Sequence, residues 1–230
     1  FIQIVTTKEV LSAYKVSLSS AVIAALINSI FGVILAWVLV KYEFFGKRIL
    51  DGLIELPFAL PTAVAGISLT SLYSDKGWIG SIFDKFNIKI AYTQIGIIIA
   101  MIFIGIPFVV RCIQPVLEKM DKQYEEAATM LGATRSKTFF RVILPEIFPA
   151  ILTGFGLALA RGIGEYGSVI FIAGNIPFKT QVVPLIIMTK LEQYKYTDAT
   201  SIAIVMLVIS FIILLLINII QSYVSKRAFN

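Results

Sequence analysis

Histidine is absent from the 230 residues, and cysteine occurs once, at Cys112. A disulfide within the chain is impossible. The zinc sites and thiol–imidazole pairs that need His or several Cys are excluded, and no metal is expected. Charge is scarce as well: 15% of residues are charged against 58% hydrophobic, and the mean hydropathy is +0.89. An ordinary soluble domain is nearer half apolar and a quarter charged. A soluble fold of this size exposes too much area to hide so much apolar surface, so a bilayer is the expected solvent. The net charge of +6 is explained by lipid headgroups and by positive loops at the membrane face, and no nucleic-acid partner is expected.

Crossing a hydrocarbon core roughly 30 Å thick takes about 20 apolar residues as a helix. Five stretches meet that length, at about 16–40, 50–73, 91–110, 147–173 and 199–223. The fourth is interrupted by Arg161 and Glu165. These segments are apolar nearly all round, so length carries the assignment and periodicity adds little. Short alternating segments, the mark of a membrane barrel, are not evident. The expected architecture is all-α, a single transmembrane domain over residues 1–230. Five is odd, which places the two ends of the chain on opposite sides. Basic residues are spread too evenly to fix the orientation. The first residue is Phe, with no visible signal peptide, and at least one further span is expected upstream.

Between the third and fourth spans lies a polar stretch, 118–146. Glu125 to Leu131 are mostly good helix formers, with acids in the first turn where the helix dipole favours them. Gly132 suits the left-handed position that ends a helix. Thr134 or Ser136 is placed to cap a second short helix, with Pro145 as its stop. Ala127, Ala128 and Leu131 form a small smooth face, and Phe139 and Phe140 a bulky one. Such a helix–turn–helix is shaped to insert into a partner's groove.

The spacing Glu126-Ala127-Ala128, Gly132, Val142 and Leu144-Pro145 resembles the cytoplasmic EAA loop of ABC-importer permeases, with Val142 where the family usually has Ile. From about Leu11 to Tyr223 the chain is similar to the sulfate/thiosulfate permeases of the T type. The stretches Glu55–Gly66, Gly105–Arg111, Gly164–Asn175 and Lys190–Tyr194 carry that likeness. Molybdate and tungstate permeases share versions of several of these segments. The resemblance implies a type I importer transmembrane domain with five spans here and a sixth upstream. It makes Glu125, Glu126, Ala127, Ala128, Gly132, Val142, Leu144 and Pro145 the coupling loop that docks on an ATPase, and places that loop in the cytoplasm. The implied partners are a second, homologous permease, ATP-binding subunits, a sulfate-binding protein, sulfate or thiosulfate, and membrane lipid. No cofactor is expected on this chain; ATP and Mg²⁺ belong to the partner ATPase.

Gly162-Ile-Gly-Glu-Tyr-Gly167 spells a dinucleotide fingerprint. That motif works only between a strand and a helix, and this stretch reads as lying inside an apolar helix. Gly156, Ala160, Gly164 and Ser168 recur at every fourth position, a small-residue face expected to serve helix packing. Arg161 and Glu165, four apart, share a face. Charges at membrane depth mark either a substrate path, here for an anion, or a structural pair bridging helices. Pro57 and Pro61 are expected to kink or break the second span, and Pro107 the third. Arg111 is expected to reach headgroups from the end of its span. The segments Asp75–Tyr92 and Asn175–Thr197 are the sizeable loops on the far side. The second is expected to carry a short helix at the interface, and the resemblance makes both the docking surface for the binding protein. Around Gly46-Lys47 the pattern of a phosphate-binding loop fails, so no ATPase is expected in this chain. With no His and no paired carboxylates deep in the bilayer, no enzyme is expected.

The function expected is one half of the pore of an ATP-driven sulfate importer, with a molybdate or tungstate permease as the alternative. An ion-driven secondary transporter needs more intramembrane carboxylates than Glu165 alone. Ile outnumbers Leu and Lys outnumbers Arg, a mark of AT-rich coding. This favours a plastid (chloroplast) inner envelope, with a bacterial inner membrane as the alternative.

Overall fold

The computed structural model describes residues 1–228, and their regular structure is helical throughout. A single turn, α1 (Ile2–Val5), precedes α2 (Lys8–Lys41), the longest helix at 34 residues. Next come α3 (Lys47–Ala59), α4 (Thr62–Tyr73), the short α5 (Gly80–Asp84) and the long α6 (Gln94–Lys119). The polar stretch folds as α7 (Lys122–Met130) and α8 (Arg135–Thr138). The chain then passes through a π turn at Phe139–Ile143 into α9 (Leu144–Ile163), followed by α10 (Gly167–Ala173), α11 (Val183–Glu192) and α12 (Tyr196–Ala228).

Four helical stretches among the described residues are long and apolar enough to cross a membrane: Lys8–Lys41, Gln94–Lys119, Arg135–Ile163 and Tyr196–Tyr223. The pair α3 and α4 makes a fifth if counted as one crossing, but the two differ in direction by 114°. The break falls at Leu60 and Pro61, where Pro61 takes φ −56°, ψ 133° and its ring leaves no amide to continue the ladder. Pro107 and Pro115, by contrast, sit inside an unbroken α6. The fourth apolar stretch departs from the expected single segment, because its helix stops at Ile163 and restarts at Gly167. Gly162 and Gly164 are poor helix formers. The Glu165 carboxylate also accepts a hydrogen bond from the Ser168 amide at 2.8 Å, which starts α10 afresh. The glycine-rich fingerprint therefore lies across a helix break, not inside a helix, and no strand adjoins it among the described residues.

In lipid, apolar burial between helices gains little over contact with acyl chains, so close packing and interhelical hydrogen bonds must hold the bundle. The centre is built from α2, α6 and α9. Val109 of α6 is fully buried between two glycines: a Cβ on Gly32 would lie 2.5 Å from its Cγ1, and one on Gly154 would lie 2.8 Å from its Cα. On α9 the face toward α2 and α6 is Gly154, Ala158 and Gly162, all buried. Ala158 reaches Gly105, and Gly162 reaches Ala21 of α2.

This row is not the one read from the sequence, two of whose members, Gly156 and Ser168, are buried against other helices. Gly156 and Ala160 lie two residues, or about 200°, around the helix from Gly154 and Ala158. Gly156 meets only Ile217 of α12, and a Cβ on Gly164 would have nothing nearer than the Ala160 carbonyl at 3.9 Å. Ser168 packs closely, but on α10 and against Gly66 of α4. With every face of the helix apolar, spacing alone did not distinguish one small-residue row from the other.

A further correction concerns Pro145, which stops nothing: the helical run Arg135–Ile163 passes through it. The ladder widens just before it, as the Leu144 amide reaches back to the Phe139 carbonyl. The short helix expected after Gln181 is present as α11. One face of it, Val183, Leu185 and Ile186, is buried, and the Val183 amide donates to the Ser17 hydroxyl of α2 at 2.8 Å.

Candidate functional site: the α7–α8 hairpin and the α9–α10 break

The hairpin is specified almost wholly by local hydrogen bonds. Asp121 caps α7, its carboxylate accepting from the Gln123 amide at 3.0 Å. At the other end the Gly132 amide donates to the Thr129 carbonyl (2.9 Å) and the Ala133 amide to the Ala128 carbonyl (3.0 Å). That pair of bonds is the Schellman arrangement, and it requires the left-handed φ of +75° that Gly132 adopts. Of the two expected caps for α8, Thr134 performs the role, accepting from the Lys137 amide.

Few contacts tie α7 to the bundle. Glu125 pairs with Lys41 at the end of α2. The Lys41 ammonium also stands 5.4 Å from the Trp37 ring centre, and Trp37 meets Phe139 edge to face. A cleft lined by Trp37, Lys41, Glu125, Thr129, Arg135 and Thr138 opens at this joint. Most of the described side chains that follow project outward. Glu126 and Ala127 are exposed, as are Tyr124 and, at 88% each, Met130 and Leu131. Ala128 is half-buried, its carbonyl spent on the turn. Val142 and Leu144 are half-buried at the root of the hairpin, and Pro145 is exposed. The hairpin thus presents an apolar tip with one free carboxylate, Glu126, beside it. Lys41 as the anchor of Glu125 was not foreseen, because it lies 84 positions away along the chain.

Arg111, expected among headgroups, instead clamps α3. Its Nη1 lies 2.9 Å from Asp51 and its Nη2 2.6 Å from Glu55, with Gln114 accepting a further bond at 2.6 Å. Asp51 and Glu55, one turn apart, present two carboxylates to a planar fork, a match that a solvated headgroup cannot better. The spacing of four between those acids was the available signal.

At the α9–α10 break, Arg161 Nη1 pairs with Glu165 Oε2 at 2.5 Å. The Glu165 side chain is 2% exposed and that of Arg161 34%. The other oxygen of Glu165, Oε1, accepts from both the amide and the hydroxyl of Ser168, at 2.8 and 2.9 Å. The expected pair is thus brought together, with one member sunk in the bundle and the other half open. Among the described residues, no group of three or more His, Cys, Asp or Glu is placed to hold a metal ion.

Comparison with known proteins gives this geometry its setting. The family described as "Binding-protein-dependent transport system inner membrane component" matches residues 28–230. A probable sulfate transport system permease protein cysT of Nephroselmis olivacea is 52% identical over all of this chain and 80% of its own length. The sulfate transport system permease protein CysT of Escherichia coli K12 is 49% identical, covering 98% of this chain and 81% of that protein. Among solved structures, a bacterial ABC transporter involved in the import of the acidic polysaccharide alginate superposes with a TM-score of 0.81. It covers 97% of this chain and 82% of that one at 17% identity. The MetNI methionine ABC transporter, in an inward-facing conformation, gives 0.69 over 94% and 96% at 15% identity, a likeness of fold. With a family match across most of its length and relatives near half identity end to end, the chain belongs to the inner membrane component family of binding-protein-dependent transport systems, as a pore-forming permease subunit.

Proposed function

We propose that the chain forms half of the translocation pore of an ATP-driven importer of sulfate and thiosulfate, coupled through its α7–α8 hairpin to a separate ATPase. The observation that carries the coupling is the hairpin itself: an apolar tip at Tyr124, Met130 and Leu131, rigidly capped at both ends yet unpacked. An exposed apolar patch of this kind on a short ordered helix fits a partner's groove. The substrate follows from relatives named as sulfate permeases at about half identity. A homologous second permease would complete the pore, and a sulfate-binding protein would deliver the anion. In support, one solved relative of this fold is an alginate transporter in complex with its periplasmic protein. The hairpin then faces the ATPase side, and the segments 74–93 and 174–195 face the binding protein. Relatives in algae support a plastid inner envelope.

Arg161 belongs to the anion path on this view. It is the charge at the edge of the open strip of α9 that includes Leu157 and Gly164, beside the packed row Gly154, Ala158 and Gly162. Charges at membrane depth face the interior or water and mark substrate routes.

The test is radiolabelled sulfate uptake by a strain lacking this chain and complemented with it, with molybdate as competitor. Restored sulfate uptake that tenfold molybdate leaves unchanged is expected. Unrestored sulfate uptake alongside restored molybdate uptake would reject the substrate. Arg161→Gln, with assembly of the complex verified, is expected to lower uptake severalfold, and normal uptake would remove Arg161 from the path.

A further inference from the structure

The Arg161–Glu165 pair is built asymmetrically, and Ser168 is the cause. An arginine and a carboxylate frequently pair through both oxygens, a fork stronger than a single contact. Here Oε1 is held by two donors from one residue, the Ser168 amide at 2.8 Å and its hydroxyl at 2.9 Å. Only Oε2 is left to face Arg161. Among the described residues Glu165 is the one charged partner of the guanidinium, which stays a third exposed. Its remaining donors are open to an anion.

Ser168 itself has no freedom to move. It is fully buried, and its backbone lies against Gly66 of α4 so closely that a Cβ there would sit 2.5 Å from the Ser168 carbonyl oxygen. The next contact along, between Gly167 and Thr62, is tighter still. The position of the Glu165 carboxylate is therefore referred through Ser168 to α4, on the far side of the Leu60–Pro61 break.

We propose that Ser168 is a positioning residue for transport: by occupying one oxygen of Glu165 it keeps Arg161 from being fully neutralised by its neighbour. This rests on the placement of Arg161 in the anion path. Loss of the hydroxyl removes one of the two donors on Oε1 and leaves the amide alone to hold it, which loosens that oxygen enough to turn toward the guanidinium and close the anion's contact. The α4 contact is kept, because the Ser168 atoms against Gly66 belong to the backbone.

The experiment uses the complete transporter in proteoliposomes, measuring radiolabelled sulfate delivered and ATP hydrolysed in the same vesicles. Ser168→Ala is expected to lower sulfate moved per ATP at least threefold while ATP hydrolysis holds. In an Arg161→Gln background the same change is expected to add nothing. Unchanged sulfate per ATP in Ser168→Ala, or a parallel fall of uptake and hydrolysis, overturns the proposal. So does a Ser168→Ala loss that multiplies that of Arg161→Gln. Normal transport by Arg161→Gln alone removes the path assignment on which the proposal stands, and is a distinct result.

Discussion

Val109 of α6 lies against Gly154 of α9 with no room between them: a Cβ at 154 would come within 2.8 Å of the Val109 Cα. Backbone approach of this kind is how membrane helices gain packing energy where the hydrophobic effect is spent. Gly154→Ala is expected to destabilise the subunit by about 1–3 kcal/mol, the usual cost of overpacking. Gly164, at φ −88° with open space around it, tolerates the same change within roughly 0.5 kcal/mol. Thermal denaturation of the two variants in detergent separates them, and equal losses would refute the assigned face.

Arg111 bridges α6 to α3 through Asp51 and Glu55. The groups are a third to a half exposed, so solvent screens the pair and the cost of Arg111→Gln is put at about 1–2 kcal/mol. Arg111→Lys is expected to recover little, since an ammonium lacks the fork that reaches two acids. Melting temperatures of the three proteins check this, and full recovery by Lys would show that charge alone matters.

Gly132 closes the hairpin at φ +75°. Gly132→Ala meets no side chain within 4 Å, so its cost is conformational, about 1–2 kcal/mol confined to the turn. Loosened coupling is the expected outcome, read as several-fold weaker co-purification of the ATPase with unchanged melting of the membrane bundle. A bundle that melts earlier would place the strain elsewhere.

Leu131 is the most exposed apolar residue of the turn together with Met130. Leu131→Glu removes no internal contact and is expected to leave the isolated subunit's stability within roughly 0.5 kcal/mol. Placed in an apolar groove, the same charge is expected to abolish ATPase binding at least tenfold, measured by pull-down from membranes. Undiminished binding would dismiss the tip as a docking surface.

The hairpin was legible in the sequence because its determinants are local. Asp121, Gly132 and Thr134 act on amides within five residues of themselves, so composition and spacing carry the information. The break at Leu60–Pro61 was legible for the same reason, since Pro acts on the backbone where it stands; the break at Gly164, read as the inside of one helix, was not. The stop assigned to Pro145 failed because the helix runs on through Arg135–Ile163, with the wider π turn at Phe139–Ile143 just before the proline.

The sequence by itself determined the class of the molecule: apolar stretches long enough to cross a bilayer, no His, one Cys, and a polar hairpin with the spacing of a known family. Tertiary structure alone decided which row of small residues on α9 faces α2 and α6, which acids 56 and more positions away receive Arg111, and how Ser168 divides the oxygens of Glu165 between two helices. The physical reason is that a helix apolar on every side has no preferred face until its neighbours supply one. The partner of a buried charge is likewise set by which helices the bundle brings together, which no spacing along the chain records.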